Sequence, residues 1–431
     1  MQKKLPVHTL LLLILLSPEL ISAQDPQVAG SYSDQISRLW EHAAIKRALN
    51  YIEENDAATV AETILLTEIE APPFKEMVRA EKYAEMWRAA GLDSVWIDQE
   101  GNVLALRKGT GGERTVALDA HLDTVFPEGT DVTVKMHGDT LYAPGVGDDT
   151  RGLAMLLAVA RAMDAAEIKT NDHVLFIGTV GEEGLGDLRG VKHLFSEAGP
   201  QIDAWISVDG GSLGRVNTKA LGSHRYRVTF AGPGGHSWGA FGLANPHHAL
   251  GAAIHNFTKA ADEFTKTGPR TSYNVGVISG GTSVNSIPFE SIMEIDMRSE
   301  SPASLLKMDT ILQVAVQEAL DEQNAIRRRG PELSVTVDRI GDRPSGELSP
   351  ELPLIQRAMA ALQPFGETPS LTRGSTNSNI PISLGIPAVT IGRGGHGGNA
   401  HALDEWWLNV EGHKAVQYAL LLVVAEAGLG D

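Results

Sequence analysis

The chain has 431 residues, 42% of them hydrophobic and 21% charged, enough apolar material for a sizeable core in two or three domains of about 150 residues each. A formal net charge of −18, from 36 basic and 54 acidic residues, argues against binding nucleic acid or an anionic membrane surface. Cysteine is absent, which excludes disulfides, thiolate metal sites and cysteine nucleophiles.

Residues 1–23 read as a secretory signal. Lys3 and Lys4 supply the positive start, Leu10 to Leu16 an apolar core, and Ile21-Ser22-Ala23 a small-residue cleavage site. That apolar run is shorter than the roughly 20 residues needed to span a bilayer, and no later run is long enough. The expectation is a periplasmic or secreted protein with no membrane attachment once the signal is removed.

From about Gln35 to Ala90 the pattern is helical, stopping at Gly91. SVWIDQEGNVLALRKG follows as two strands around a turn at Glu100-Gly101-Asn102. TVALDA, HVLFIGTV and AWISVD are short apolar runs suited to the buried strands of a mixed, largely parallel sheet. Between the first two, Leu153, Leu156, Leu157, Ala160 and Met163 recur at helical spacing, with Thr150 as a candidate cap. This order predicts an α/β sheet covered by helices.

After Asp209 the pattern changes to βαββαβ: HRYRVTFAG, a helix from NPHHAL, SYNVGVISGG, SIMEIDMRS, a long helix from SLLKMD, and LSVTVDRIG. Helix and strand patterning then resumes in PLIQRAMAALQPF and IPAVTIG. The simplest layout is a catalytic domain (24–218 and 342–431) interrupted by an α+β unit at 219–341.

Several of these runs are followed by residues of one chemical kind. His121 ends VALDAH, Asp148 sits in PGVGDDTRG, Glu183 in GTVGEEG, Asp209 in ISVDGG, and His401 in GGNAHALDEW. Imidazole nitrogens and carboxylate oxygens are what zinc takes when a coordination position is left open for water. Asp123, two residues beyond His121, is placed to accept the second ring N–H and orient the imidazole. Glu182, beside Glu183, is free to act as the proton acceptor.

The order HLDT, GDDTRG, GEEG, VDGG, GGHS and a late His before an acid resembles the two-zinc exopeptidase and amidohydrolase family, which includes peptidase T, glutamate carboxypeptidase, aminoacylase and succinyl-diaminopimelate desuccinylase. The resemblance implies a zinc-exopeptidase-like catalytic domain and an inserted lid or dimerisation domain, with a homodimer formed through the lid. It implies that two zinc ions (or cobalt or manganese) are held by His121 and Asp209 on one side and Glu183 and His401 on the other. Asp148 would lie between them, with a cis peptide to Asp149, and Glu182 would be general base and then acid. His236 in GGHS would reach a neighbouring active site, and Asn285 and Arg298 match lid positions that contact substrate. Arg373-Gly374-Ser375-Thr376-Asn377 looks like the substrate loop RGGTDG of peptidase T, with Ser375 in place of a Gly and Asn377 in place of the Asp.

The implied activity is hydrolysis of amide bonds in small peptides. The RGSTN loop favours an aminopeptidase or tripeptidase, while a carboxypeptidase or N-acyl-amino-acid hydrolase remains open on the same metal centre. A serine hydrolase built on Ser212 in Gly210-Gly211-Ser212-Leu213-Gly214 is the competing chemistry. It requires a helix directly after the motif, where this sequence looks extended.

Overall fold

The structure is a computed structural model that describes residues 27–430, so the signal at 1–23 lies outside the described residues. Four helices come first: α1 (Gly30–Glu41), α2 (Ala43–Glu54), α3 (Asp56–Thr67) and α4 (Met77–Ala89). The hairpin β1 (Ser94–Ile97) and β2 (Val103–Arg107) turns where Gly101 adopts a positive φ of 106°. Next come β3 (Thr115–His121), the short strands β4 (Lys135–His137) and β5 (Thr140–Tyr142), and α5 (Arg151–Ala165). They lead to β6 (His173–Thr179), α6 (Arg189–Leu194), β7 (Ala204–Val208) and β8 (Arg215–Ala220).

The main sheet forms because its strands are apolar on both faces. Val116, Leu118 and Ala120 of β3 enter one core with α5, while Ala117 enters a second core with residues of α6. In α5, Leu153, Leu156, Leu157 and Met163 are all fully buried, each such side chain contributing about 1.5–3 kcal/mol. This helix is therefore locked onto the sheet, with α2 and α3 packed against it. Thr150 does not cap it: its hydroxyl donates back to the carbonyl of Gly145 over 2.9 Å and meets the hydroxyl of Thr67 at 2.6 Å.

The chain then enters a second unit built on its own sheet. It comprises β9 (Gly222–Ala231), β10 (Gly235–His236), α7 (Pro246–Thr265), β11 (Thr271–Gly280), β12 (Ser286–Ile287), β13 (Glu290–Ser299), α8 (Pro302–Ile326) and β14 (Ser334–Arg343). Both long helices start with proline in the first turn behind a capping side chain, Asn245 for α7 and Ser301 for α8. Strand order is β11-β13-β9-β14, all antiparallel. Phe230, Met293 and Met297 alternate inward to meet Leu250, Phe257 and Leu312 of the helices in a separate core. The ribbon of β10 and β12 stands apart from this sheet.

The return comprises β15 (Gly346–Glu347), α9 (Pro353–Ala360), β16 (Ser370–Gly374), α10 (Asn379–Ser383), β17 (Ala388–Ile391), β18 (His396–Gly398), β19 (Trp406–Leu408) and α11 (His413–Ala427). The main sheet runs β1-β2-β6-β3-β7-β17-β8-β15, with β16 paired to β8. Its centre, β6-β3-β7-β17, is parallel. The remaining pairs are antiparallel except β16 with β8, so the sheet is mixed, as expected, with its parallel part at the centre. The reason is local: the β1–β2 hairpin adds one edge, and β8 returns antiparallel to β17 on the other side. A small four-stranded sheet, β18-β19-β5-β4, joins the segment after α10 to the segment before α5. Among the described residues no helix is long and apolar enough to cross a membrane.

Candidate metal centre

The crevice of an open α/β sheet lies beyond the carboxyl ends of its parallel strands. His121 is the last residue of β3, Glu182 and Glu183 follow β6, and Asp209 follows β7, so three adjacent parallel strands deliver these groups to one end. Asp148 arrives on the turn before α5, where the Asp148–Asp149 peptide is cis. His401 arrives on the loop between β18 and β19, with a positive φ of 68°.

Four of the side chains interlock. Nε2 of His121 is 2.9 Å from Oδ1 of Asp148, and Nε2 of His401 is 3.2 Å from Oδ2 of Asp148 and 2.8 Å from Oε1 of Glu183. One ligand atom each from His121, Asp148 and Glu183 lie within 4.8 Å of one another. Asp209 lines the same pocket, a cavity of about 320 Å³ that also exposes Asp148, Glu182, Glu183 and His401. The electrostatics call for cations. Donating to the Asp148 and Glu183 carboxylates pushes the His401 imidazole up to about 10. Burial opposes charging of His121, yet Asp148 and its acidic neighbours raise it well above the ordinary histidine range. Burial raises Asp209, and the nearby charge of Asp148 adds to the effect. Crowded carboxylates with imidazoles at their edges suit divalent metal ions, and the nitrogen and oxygen donors fit zinc, cobalt or manganese.

Asp123 is placed differently from the simple relay. Its main-chain carbonyl, not its carboxylate, lies 2.9 Å from Nδ1 of His121, and Oδ1 is 3.7 Å away. The carboxylate instead accepts the amides of Glu182 (3.0 Å) and Glu183 (2.7 Å). A single fully buried Asp thus orients the imidazole with its backbone and fixes both glutamates with its side chain. Buried Arg79 braces the same turn by donating to the carbonyl of Leu122 over 2.6 Å.

Glu182 meets a residue that the sequence did not single out. Nη1 of Arg343, the last residue of β14, is 3.0 Å from Oε1 of Glu182 and 3.0 Å from Oγ of Ser375, while Nη2 donates to the carbonyl of Glu182. Burial pushes the Glu182 carboxyl up to about 8, with Arg343 pulling it down and Glu183 adding to the rise. Arg225, also unforeseen, donates to the carbonyl of Gly184 and to Asp296 (2.9 Å); Arg298 shares Asp296 at 2.7 Å. Arg225, Arg298 and Arg343 all line the pocket.

The other expected substrate residues are not gathered there. Arg373 pairs with Glu300 on the surface. Asn285 is exposed, accepting the amide of Ser237 at 2.9 Å. His236 is also exposed on the β10–β12 ribbon, its Nδ1 accepting the amide of Trp238 at 3.2 Å. Asn377 is buried and bonds to Asp119 and Thr179. Ser212 is exposed in a turn followed by strand β8, so no nucleophile elbow forms.

A model of the peptidase family M20/M25/M40 matches residues 117–424. Carboxypeptidase G2 of Pseudomonas sp. (strain RS-16) is 24% identical over 327 residues, covering 70% of this chain and 72% of that protein. Among solved structures, aminopeptidase PepT of Bacillus cereus superposes with a TM-score of 0.66 at 20% identity, covering 86% of this chain and 98% of that one. The dipeptidase Dug1p of Saccharomyces cerevisiae gives 0.69 at 15% identity, covering 89% and 98%.

Proposed function

The chain belongs to peptidase family M20/M25/M40, and from that membership we propose an exported dinuclear-zinc metallopeptidase that hydrolyses amide bonds of small peptides. The observation that carries this reading is the interlocked His121, Asp148, Glu183 and His401 with Glu182 beside them. By family resemblance His121 and Asp209 would hold one ion and Glu183 and His401 the other, with Asp148 shared. Two ions held there would supply Lewis acidity for the scissile carbonyl and for a water. Glu182 takes the proton of the attacking water on its carboxylate and returns it to the leaving amine. Cations act on its pKa in the same direction as Arg343, so metal loading readies it as a base. The unit from β9 to β14 serves as the lid, and the homodimer forms through it, bringing His236 to the partner's pocket.

The arginines bear on the substrate. In the RGSTN loop Ser375 lines the pocket while Asn377 is buried and Arg373 pairs with Glu300, so the loop lends an aminopeptidase or tripeptidase less support. Arg225, Arg298 and Arg343 in the pocket favour a free carboxylate near the scissile bond, as in a carboxypeptidase or N-acyl-amino-acid hydrolase. The test is a panel of free, N-blocked and C-blocked di- and tripeptides, with metal content measured alongside. Hydrolysis of N-blocked but not C-blocked substrates by a protein holding two ions is expected. A metal-free protein whose activity ignores chelators overturns the metallopeptidase reading, and cleavage of C-blocked but not N-blocked peptides restores the aminopeptidase one.

A further inference from the structure

Glu405 follows His401 by four residues and is almost completely buried. Its carboxylate points away from the pocket into the turn that carries Asp148. Oε1 accepts the amides of Gly147 (2.8 Å) and Asp148 (2.9 Å), and Oε2 accepts the amide of Gly145 (2.9 Å). Its main-chain carbonyl accepts the amide of Ala143 at 3.0 Å, one step beyond the β19–β5 ladder in which Trp406 pairs with Tyr142. Glu405 therefore makes four hydrogen bonds to the segment 143–148 and closes its own loop by donating to the carbonyl of Ala402 at 3.1 Å.

The two histidines are supported unequally. His121 is buried at the end of β3, its ring held by the carbonyl of Asp123 and its amide donating to Oδ2 of Asp149 at 3.3 Å. His401 is about half exposed, at 53% of its side chain, and sits on a loop. Its reach to Asp148 is set by whatever holds that loop to the 143–148 segment, and Glu405 is the side chain that does so.

We propose that Glu405 is a positioning residue that sets the distance between Asp148 and His401, so that the ion position on the Glu183–His401 side depends on it while the position on the His121–Asp209 side does not. This rests on the dinuclear reading above. An amide at 405 keeps one accepting oxygen but sets an NH2 group against backbone N–H, so the turn loses part of its grip. Disturbing a partner that orients a ligand typically weakens metal affinity about 10–100-fold.

The experiment is titration of metal-stripped full-length protein with Zn²⁺ by calorimetry and with Co²⁺ by visible spectroscopy, for wild type, Glu405→Gln and His401→Ala. Wild type binding two ions supports the underlying reading, and fewer than two overturns that reading itself. Glu405→Gln is expected to bind one ion as wild type does and the second about 10–100-fold more weakly. Its one-ion Co²⁺ spectrum should match that of His401→Ala. Two ions bound with wild-type affinities, or both weakened alike, overturns the role of Glu405 and leaves the dinuclear reading standing. Glu405→Asp serves if the glutamine variant does not fold: it keeps the charge but is one methylene too short to span the three amides, and the same asymmetry is expected.

Discussion

Nδ2 of Asn377 donates to Oδ2 of Asp119 over 2.6 Å and to Oγ1 of Thr179 over 2.7 Å, all three groups being buried. The amide at 377 thus answers a carboxylate on the neighbouring strand. Burial pushes Asp119 up to about 7, with hydrogen bonds from Ser207, Asn377 and Thr179 holding it lower than burial alone would. An acid raised in the folded state binds its proton more tightly there than in the unfolded chain. Its contribution to stability therefore falls as pH climbs from about 4 through the raised value.

Asn377→Asp sets two buried carboxylates against each other. It should lower stability by about 3 kcal/mol, the scale of an uncompensated buried charge, and by more at pH 8 than at pH 5. The exchange Asp119→Asn with Asn377→Asp should recover most of the loss. Thermal unfolding at both pH values decides: no recovery in the double variant means the two residues do not act as a pair.

Glu182→Gln preserves an oxygen for Arg343 and removes the proton acceptor. Turnover should fall about 10²–10⁴-fold, the usual worth of general acid–base transfer, with both ions still bound. Wild-type turnover in a metal-loaded variant would remove Glu182 from the chemistry.

Arg343 holds Glu182 by two atoms and Ser375 by a third contact, a fork that a lysine ammonium cannot reproduce. Arg343→Lys should lower kcat/KM about 10–100-fold, the range for a lost charge-assisted hydrogen bond of about 1.5–3 kcal/mol. Ser375→Ala should have a smaller effect. Steady-state kinetics at fixed metal content test the order; a larger loss at Ser375 would reverse the assignment.

Without bound cations Asp148, Glu183 and Asp209 crowd one pocket, with imidazoles and arginines as the balancing charges. The metal-free protein should melt at a lower temperature. Adding zinc at about 100 times its dissociation constant should restore about 2.7 kcal/mol per site. A Tm indifferent to zinc would mean that these carboxylates do not hold it.

His236 stands exposed on the β10–β12 ribbon rather than in its own chain's pocket. Mixing His236→Ala with Glu182→Ala subunits should restore part of the activity that neither shows alone. If verified mixed dimers stay inactive, His236 does not serve a partner's site.

Three of the residues readable in the sequence share one property: each stands at the end of a self-contained local pattern. His121, Glu183 and Asp209 each follow an apolar run, and those runs become the adjacent parallel strands β3, β6 and β7. Arg343 and Glu405 have no such local mark. Arg343 ends a strand of the other sheet and meets Glu182 across 161 positions, and Glu405 meets Gly147 across 258. Asn377 shows in the sequence only as a replacement for the Asp of a substrate loop, while its buried partners Asp119 and Thr179 lie 258 and 198 positions away. Thr150 has the right type for a cap, but Thr67 and Gly145 claim its hydroxyl.

Strands β7 and β8 are neighbours in the chain, yet β17 lies between them in the sheet. The strand that fills this slot, Ala388–Ile391, comes in the chain only after the whole second sheet. His401 and Glu405 emerge from the ribosome later still. A chain that has not yet reached β17 therefore has neither the strand that separates β7 from β8 nor the His401 side of the site.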